Sequence, residues 1–301
     1  MTSTETHRYL VIPATGAQGA AVARRLVGEG WQVRGLTRSE ASGRLPDGVE
    51  HFVGDITNRE QVKAAFSGVT HASVSLPVLC EPDRVAACVE NIIEAALSAG
   101  LRRLVFNTGN RVPEAATEVA AFETRRAATT ALLGSGVPTT VLRPPIYLDN
   151  LRAPWVAGPL VHDRVLRYPL PSDLPIAWLS HDDLAVATVA ALTGDGLDGA
   201  TIDIGGPDVV TGPELAAEFG AWLGRTVDYV AQEPAEFEAA LAHLFGAPAA
   251  AMVASTYRWI ATSGEGLYDD DPTKVERRLG IRLTSLRKWI AAQPWNALAG
   301  R

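Results

Sequence analysis

The 301-residue sequence predicts an α/β fold, a doubly wound parallel sheet with a smaller mixed C-terminal lobe. Apolar strand-like segments alternate with helix-like segments through the first half of the chain, which is the βαβ pattern of a parallel sheet. A turn that contains glycine joins the first strand to the first helix. The composition changes after Pro144 and Pro145, where prolines and aromatic residues become frequent. We therefore expect one domain over 1–146 and a second lobe over 147–301, with 176–205 returning in part to the first sheet.

The elements of the first half follow one another at regular intervals. A capping-box spacing between Thr57 and Glu60 predicts the start of one helix. The other predicted helices cover 18–29, 83–99 and 116–133. The predicted strands are YLVIPA, WQVRGL, a segment just before Asp55, HASVSL, RRLVFNT and TTVLRP.

The second half begins with a proline-rich stretch that reaches Trp178. We expect this stretch to lie over the sheet as loops, where open α/β folds bind substrates. Asp183 is predicted to cap a helix over 184–193, and Thr211 with Glu214 forms a capping box for another helix. The remaining predictions are strands at ATIDIGG and VDYV, helices within 233–262, and a last helix from Pro272 to Gly280.

Composition restricts the classes of function. With 47% hydrophobic and 20% charged residues, the chain can bury a full core. Its net charge is −7 without a Lys/Arg cluster, so we expect no binding to nucleic acid or to a membrane. The polar opening MTSTETHRYL has no apolar signal-peptide core, which predicts a cytoplasmic protein. Cys80 and Cys88 are expected to be reduced thiols, and neither they nor the histidines have metal-ligand spacing, so no metal is expected.

The stretch VIPATGAQGAAVARRLV has the order strand, glycine turn and helix. Gly16 lets the backbone turn tightly, and Gly19 permits close packing of the helix on the strand. The unpaired amides at the start of the helix attract negative charge. Pro13 stands where the extended G-x-x-G-x-x-G pattern has its first glycine. The turn predicts that the chain holds the pyrophosphate of a dinucleotide.

The end of the second strand indicates which dinucleotide is bound. Thr37, Arg38 and Ser39 include no acid, whereas a carboxylate there bonds to a ribose 2′-hydroxyl and repels a 2′-phosphate. The guanidinium of Arg38 can pair with that phosphate, so we predict NADP(H) in preference to NAD(H). Asp55 and Ile56 are placed to hold the adenine, or Asp55 simply heads a turn; both interpretations remain open.

The order and spacing of several motifs resemble the NmrA-like group of atypical short-chain dehydrogenases/reductases over nearly the whole chain. These motifs are ATGAQG, VRGLTR, GDIT, LRRLVFNT, SGVPTTVLRPPIYLDN, HDDLA, the segment from IDIGGPDVV to VDYV, and VERRLGIRLTSLRKWI. The resemblance implies a Rossmann domain, a smaller substrate lobe, and a nicotinamide dinucleotide in the cleft. The expected cofactor contacts are Thr15, Gly16, Ala17, Gln18, Gly19, Arg38, Asp55, Ile56, Ser75, Leu76, Thr108, Arg125 and Pro145.

The catalytic signature of the wider superfamily, Tyr-x-x-x-Lys, is altered in this chain. Its tyrosine position falls on Ala121 and its lysine position on Arg125, so the usual proton donor is absent. Arginine is a poor proton source, but it can hold ribose hydroxyls or stabilise an oxyanion. Thr108 either orients a substrate or ties off its strand end. The catalytic candidates are Thr108, Arg125 and Tyr147, and the expected pocket residues are Tyr147, Asn150, Trp155, Trp178, His181 and Tyr257.

Three functions are consistent with these residues. The first is an NADPH-dependent reductase of a hydrophobic quinone- or enone-type small molecule, because hydride addition to such a molecule gives a stabilised anion that water can protonate. The second is a non-catalytic NADP(H) sensor that reports to a partner protein. The third is a redox-neutral isomerase or lyase. The aromatic, proline-ordered stretch beyond Asn150 is typical of a pocket wall and favours the reductase.

Overall fold

The computed structural model describes residues 7–39, 45–77, 81–269 and 271–300, without the side chains of 244–245. The strands are β1 Arg8–Ile12, β2 Gln32–Thr37, β3 Val49–Val53, β4 His71–Ser75, β5 Arg103–Asn107, β6 Thr139–Arg143, β7 Val165–Tyr168, β8 Ile176–Ala177, β9 Thr201–Asp203, β10 Val209–Val210 and β11 Asp228–Ala231. The helices are α1 Ala17–Gly28, α2 Arg59–Phe66, α3 Pro82–Ser98, α4 Ala120–Gly134, α5 Pro154–His162, α6 His181–Thr193, α7 Gly212–Leu223, α8 Pro234–Phe245, α9 Ala247–Ser263, α10 Pro272–Leu279, α11 Leu286–Ala292 and α12 Trp295–Ala299.

Seven parallel strands form the central sheet in the order β3-β2-β1-β4-β5-β6-β9, which confirms the predicted doubly wound fold. Apolar residues of α1 and α6 cover one face of the sheet, and those of α2, α3 and α4 cover the other. Both faces are therefore buried, which is why β1 reads as an apolar run. The strand order reverses between β1 and β4, and open sheets of this kind bind ligands at the carboxyl ends of the strands at such a point.

A separate apolar cluster, drawn from residues between 146 and 295, forms the core of the C-terminal part. Its short strands pair as β8 with β10, antiparallel, and as β7 with β11, parallel. Strand β9 joins the central sheet although it lies late in the chain. The proline-rich stretch was wrongly expected to be loops only. It contains a 3₁₀ helix over Leu148–Arg152, then α5 and two strands. Helix α5 is compatible with Pro154 because this proline occupies its first turn, where a missing N–H costs nothing. The division at 146/147 remains a prediction.

The starts of α2 and α4 differ from the sequence predictions. Asn58, and not Thr57, caps α2 by accepting from the Gln61 N–H at 3.1 Å. Helix α4 begins at residue 120 and not at 116, because Glu123 accepts from both the N–H and the hydroxyl of Thr117 and holds the preceding turn. Each correction has the same cause, since a polar side chain a few residues away offers the backbone another partner.

At α6 the cap is Ser180, and Asp183, predicted as the cap, lies inside the first turn. The Ser180 hydroxyl accepts from the Asp183 N–H at 3.0 Å and donates to its carboxylate at 2.8 Å. The predicted capping box of Thr211 and Glu214 and the helix that ends at Gly280 are present. Two further helices, α11 and α12, follow what was predicted to be the last one.

Cys88 is a free, buried thiol, as predicted, and Cys80 lies outside the described residues. In the parts of the chain that the structure describes, no helix has both the length and the apolar character needed to cross a membrane.

Candidate functional site

Three cavities lie along the carboxyl edge of the central sheet. The first, the edge cavity, has about 330 Å³ and lies beside the ends of β1 and β2. The second, the inner cavity, has about 230 Å³ and is bounded by residues that follow β4, β5 and β6 and by α4 and α9. The third, the outer cavity, has about 730 Å³ and lies between α1 and later elements of the chain that include α5, α8 and α9. The inner and outer cavities share Asn150, Val253 and Tyr257 as wall residues, so the two adjoin.

The glycine turn between β1 and α1 separates the edge cavity from the other two. A Cβ atom at Gly19 would lie 1.9 Å from the carbonyl oxygen of Pro13, so only glycine permits this approach of helix to strand. The first hydrogen bond of α1 runs from the Ala20 N–H to the Gly16 carbonyl. The amides of the three residues between them have no intrahelical acceptor, and α1 has no acidic residue in its first turn. The turn therefore has the geometry that attracts an anion.

The edge cavity is lined by Thr15, Gly16, Arg38 and Ile56. Arg38 is exposed and belongs to none of the ion pairs within the described residues. Asp55 accepts from the N–H and the hydroxyl of Thr57, both at 2.9 Å, and these bonds lower the pKa of its carboxyl. The structure thus shows the turn that was one of the two interpretations of Asp55, and Asp55 itself does not line this cavity.

Most of the predicted cofactor contacts after β4, β5 and β6 meet at the inner cavity. Its wall includes Gln18, Ser75, Leu76, Thr108, Arg125, Pro145 and Tyr147. Ala17 lines the outer cavity instead. Asn107, at the end of β5, donates to the Gln18 side chain at 2.8 Å and accepts from the Gly109 N–H at 2.9 Å. Asn107 therefore fixes Gln18 at the start of α1, next to the glycine turn.

Arg125 is a partly buried cation on the wall of the inner cavity. Its guanidinium donates to the carbonyls of Leu76 at 3.3 Å and Pro77 at 2.9 Å, and to the hydroxyl of Thr124 at 3.4 Å. No carboxylate pairs with it in the described ranges, and a guanidinium has five N–H donors, so donors remain available. Burial lowers the pKa of Arg125 to about 10, and the group stays charged at neutral pH.

Thr108 is buried at the end of β5 and its hydroxyl donates to the backbone. The acceptors are the carbonyls of Asn110 at 2.7 Å and Leu142 at 3.2 Å. A hydroxyl has a single proton, and here the main chain uses it. The structure thus shows the tied-off strand end that was one of the two interpretations of Thr108, which also lines the inner cavity, and a catalytic role for it stays a prediction.

Tyr147 has a buried hydroxyl that makes no direct hydrogen bond in the described chain, although the Asn107 side chain lies close enough to lower its pKa. Its side chain is 5% exposed, and its ring meets His181 edge-on at 4.7 Å between centroids. Burial raises the pKa of this phenol well above its usual value, so the hydroxyl keeps its proton. Buried polar groups are almost always paired, and an unpaired one on a cavity wall marks a place for a ligand atom.

Asn150, Trp155 and His181 line the outer cavity, as expected for pocket residues. Trp178 lines neither the inner nor the outer cavity. Its ring is buried in the C-terminal core against Tyr168, at 5.3 Å between centroids, so its assignment to the pocket is corrected. Prolines and aromatic residues occur here at irregular spacing, so the sequence does not distinguish Trp155, which lines a cavity, from Trp178, which belongs to the core.

His181 and Asp149 form a polar pair in the outer cavity. The Asp149 carboxylate accepts from the backbone N–H of His181 at 2.8 Å. The same carboxylate lies 3.6 Å from the imidazole Nδ1 of His181. Burial lowers the pKa of His181, and Asp149 opposes that shift. Asp149 was not among the site residues predicted from the sequence. Its position directly before Asn150, a predicted pocket residue, was the only signal in the sequence, and both residues belong to one 3₁₀ turn.

Doubly wound topology, a glycine turn and a ligand-sized cleft at the carboxyl ends of the strands define a Rossmann-type α/β protein. The chain belongs to the NmrA-like family, whose model matches residues 5–293.

Among curated relatives, a (4-alkanoyl-5-oxo-2,5-dihydrofuran-3-yl)methyl phosphate reductase of Streptomyces griseus is 33% identical over 221 residues, which cover 73% of this chain and 75% of that one. An NAD(P)H azoreductase of Xenophilus azovorans is 28% identical over 227 residues, 74% of this chain and 76% of that one. The solved triphenylmethane reductase of Citrobacter sp. has a TM-score of 0.77 at 20% identity, covering 98% of this chain and 100% of that one.

Proposed function

We propose that the protein is an NADPH-dependent reductase of a hydrophobic quinone- or enone-type small molecule. The observation that carries the proposal is the inner cavity. It places the charged Arg125 and the unpaired Tyr147 hydroxyl in one cleft, next to the glycine turn and between apolar walls such as Phe122 and Val253. The names of relatives support it, since they include reductases of an unsaturated lactone phosphate, of azo compounds and of quinones.

The residues present fit a nicotinamide dinucleotide. The amides after Gly16 would hold its pyrophosphate, and Arg38 in the edge cavity would pair with a 2′-phosphate. Arg125 uses some of its N–H groups in bonds to main-chain carbonyls and pairs with no carboxylate of the described chain. Its remaining N–H groups would bond to the ribose hydroxyls. When bound, NADPH supplies two electrons with one hydrogen to the acceptor, which takes one further proton from water.

The walls of the inner cavity explain the preferred acceptor. Ala121 lines this cavity where the superfamily has its tyrosine, and no acid replaces that group beside it. A reduction without a strong acid suits an acceptor whose negative charge is delocalised, as in a quinone or a conjugated enone. The open space next to Arg125 also favours a reductase over a sensor, since a sensor has no need of an acceptor site.

Calorimetry with NADPH and NADH, followed by turnover assays with menadione, cyclohexenone and an azo dye, tests the proposal. We expect NADPH to bind at least tenfold more tightly than NADH, because a charge-assisted bond to the 2′-phosphate is worth about 1.5–3 kcal/mol. Arg38→Leu should abolish that difference and leave NADH binding unchanged, whereas Arg167→Leu, an exposed arginine of β7, should change neither. Failure to bind either nucleotide would overturn the proposal, and binding without reduction of any acceptor would favour the sensor.

A further inference from the structure

We propose that Tyr257, on α9 of the C-terminal lobe, donates a hydrogen bond to the carbonyl oxygen of the acceptor, and that Tyr168 and Asn150 aim its hydroxyl. The acceptor itself rests on the proposed function. The assignment of Tyr257 rests on three observations about the chain: its position between the inner and outer cavities, the proton that its bond with Tyr168 leaves unused, and the absence of a tyrosine at position 121.

Tyr257 lies where the inner and outer cavities meet, since it lines both of them. Ala121 lines the inner cavity from α4, and its small side chain leaves the part of the wall formed by α4 without a hydroxyl. Helix α9 packs against α4 through the edge-on contact of Phe122 with Trp259, at 5.2 Å between ring centroids. A phenol from α9 therefore borders the space that a phenol from α4 occupies in the superfamily pattern.

A count of protons shows what the hydrogen-bond chain can offer to a ligand. The side-chain amide of Asn150 donates to the Tyr168 hydroxyl at 3.0 Å, and the hydroxyls of Tyr168 and Tyr257 lie 2.7 Å apart. Tyr168 is 2% exposed, and in the described chain its hydroxyl has hydrogen-bond contacts with Asn150 and Tyr257. Either hydroxyl can donate in this contact, so the pair keeps one proton beyond the bond between them, and Tyr257 is the member of the pair that lines both cavities. One O–H group is left to point at a ligand.

The chain of bonds also explains how Tyr257 would act. Burial raises its pKa to about 12, so the phenol stays protonated at neutral pH and offers a hydrogen bond. When Tyr257 donates to a ligand, its oxygen accepts from Tyr168, and this bond increases the polarity of the Tyr257 O–H, as happens in chains of donors. A fixed donor in a site closed to bulk water stabilises charge as it develops on a carbonyl oxygen. Asn150 and Tyr168 act through Tyr257 and are positioning residues.

The test compares Tyr257→Phe and Tyr168→Phe with a matched control. Tyr229→Phe removes a phenol hydroxyl of the same lobe that bonds to the Leu170 carbonyl at 2.9 Å and lines neither cavity. Three quantities are measured for each variant: the Kd for NADPH, kcat and KM with menadione, and the Kd of menadione for the protein loaded with NADP⁺. The last quantity needs no turnover.

For Tyr257→Phe we expect kcat to fall about 100-fold, the effect of losing one donor to a developing oxyanion. The Kd of menadione should rise about fivefold, as for one lost hydrogen bond, with NADPH affinity within about twofold of wild type. Tyr168→Phe should lower kcat about tenfold at unchanged KM, because the Tyr257 hydroxyl stays in place but loses the hydrogen bond that orients it. Tyr229→Phe should match wild type.

Wild-type kcat and menadione affinity in Tyr257→Phe, with NADPH still bound, would overturn this inference and leave the proposed function standing. Absence of NADPH binding in the wild type would overturn the proposed function first. Thermal unfolding of each variant identifies one that does not fold. Should Tyr257→Phe be that variant, an unchanged kcat and menadione Kd in a folded Tyr168→Phe would overturn the inference.

Discussion

Two buried tyrosines show how much the partner of a side chain decides. Tyr168 accepts a hydrogen bond from Asn150 and shares one with Tyr257 inside the C-terminal core, while the hydroxyl of Tyr147 makes no direct hydrogen bond in the described chain. Both side chains are at most 5% exposed, so burial alone does not separate them. A satisfied phenol stabilises the free protein, whereas an unsatisfied one costs free energy until a ligand pairs with it.

Tyr147→Phe should therefore affect stability and ligand binding in opposite directions. We expect the free energy of unfolding to stay level or rise by about 1 kcal/mol, because the variant removes a buried polar group that has no bond. Affinity for NADPH or for menadione should fall about fivefold. Chemical denaturation and calorimetry measure the two effects. A less stable variant that binds both ligands normally would show that Tyr147 is only a packed core residue.

At the scale of elements, the close contact between β1 and α1 depends on one glycine. The 1.9 Å distance from a Cβ at Gly19 to the Pro13 carbonyl is to a backbone atom, which no side-chain rotation can relieve. Any other residue must shift the start of α1, and with it the amides of the glycine turn. The helix start is therefore held both by packing and by the demands of the proposed nucleotide site.

Gly19→Ala should lower the free energy of unfolding by about 1–3 kcal/mol, the usual cost of overpacking, and should abolish NADPH binding. Gly28→Ala in the same helix is the control, since a Cβ there meets nothing within 4 Å. That change should be neutral or stabilising by about 0.5 kcal/mol. Equal effects of the two substitutions on unfolding and binding would contradict the role assigned to the close contact.

The elements themselves were largely predictable. The strands of the central sheet are apolar runs between turn residues, and their order along the chain gave the doubly wound fold. Helix starts were less predictable, because several polar residues compete for the same amides: Asn58 displaces Thr57, and Ser180 displaces Asp183. The proline-rich stretch misled us since proline is compatible both with loops and with the first turn of a helix such as α5.

At the scale of the whole molecule, the two edges of the sheet differ in character. The cavities lie at the carboxyl edge, and a stack of aromatic side chains lies where β1, β2 and β4 begin. There the His71 ring stacks on Tyr9 at 4.9 Å and on His7 at 5.0 Å between centroids. Burial, and then the charges of His7, Arg103 and Arg102, lower the pKa of His71 to about 4.

This shift predicts a loss of stability in mild acid. The unfolded imidazole binds a proton near pH 6.5 and the folded one near pH 4, so between these values the unfolded state binds more protons. His71 contributes nothing to the pH dependence above this window and should cost about 2 kcal/mol by pH 5. In His71→Asn the difference in unfolding free energy between pH 7 and pH 5 should be smaller by that amount. Denaturant titrations at the two pH values measure it, and equal differences would refute the assignment.

The candidate site was only half predictable for a topological reason. Residues that directly follow β1, β2, β4, β5 and β6 could be placed, because parallel strands end at one edge. Groups from the C-terminal lobe could be named but not located, since no local pattern states which of its aromatic residues reaches the cleft. Tyr257 borders the inner and outer cavities and Trp178 borders neither, yet no pattern in the sequence around these two residues distinguishes a cavity residue from a core residue.

The tight fit at Gly19 also limits how the gene can change. Every single-base substitution in a glycine codon that alters the amino acid introduces a Cβ atom, and each such atom would overlap the Pro13 carbonyl. No single-base step from this codon to that of another amino acid is therefore free of cost. A lineage that abandoned the nucleotide would still have to keep this glycine, or rebuild the first strand and helix together.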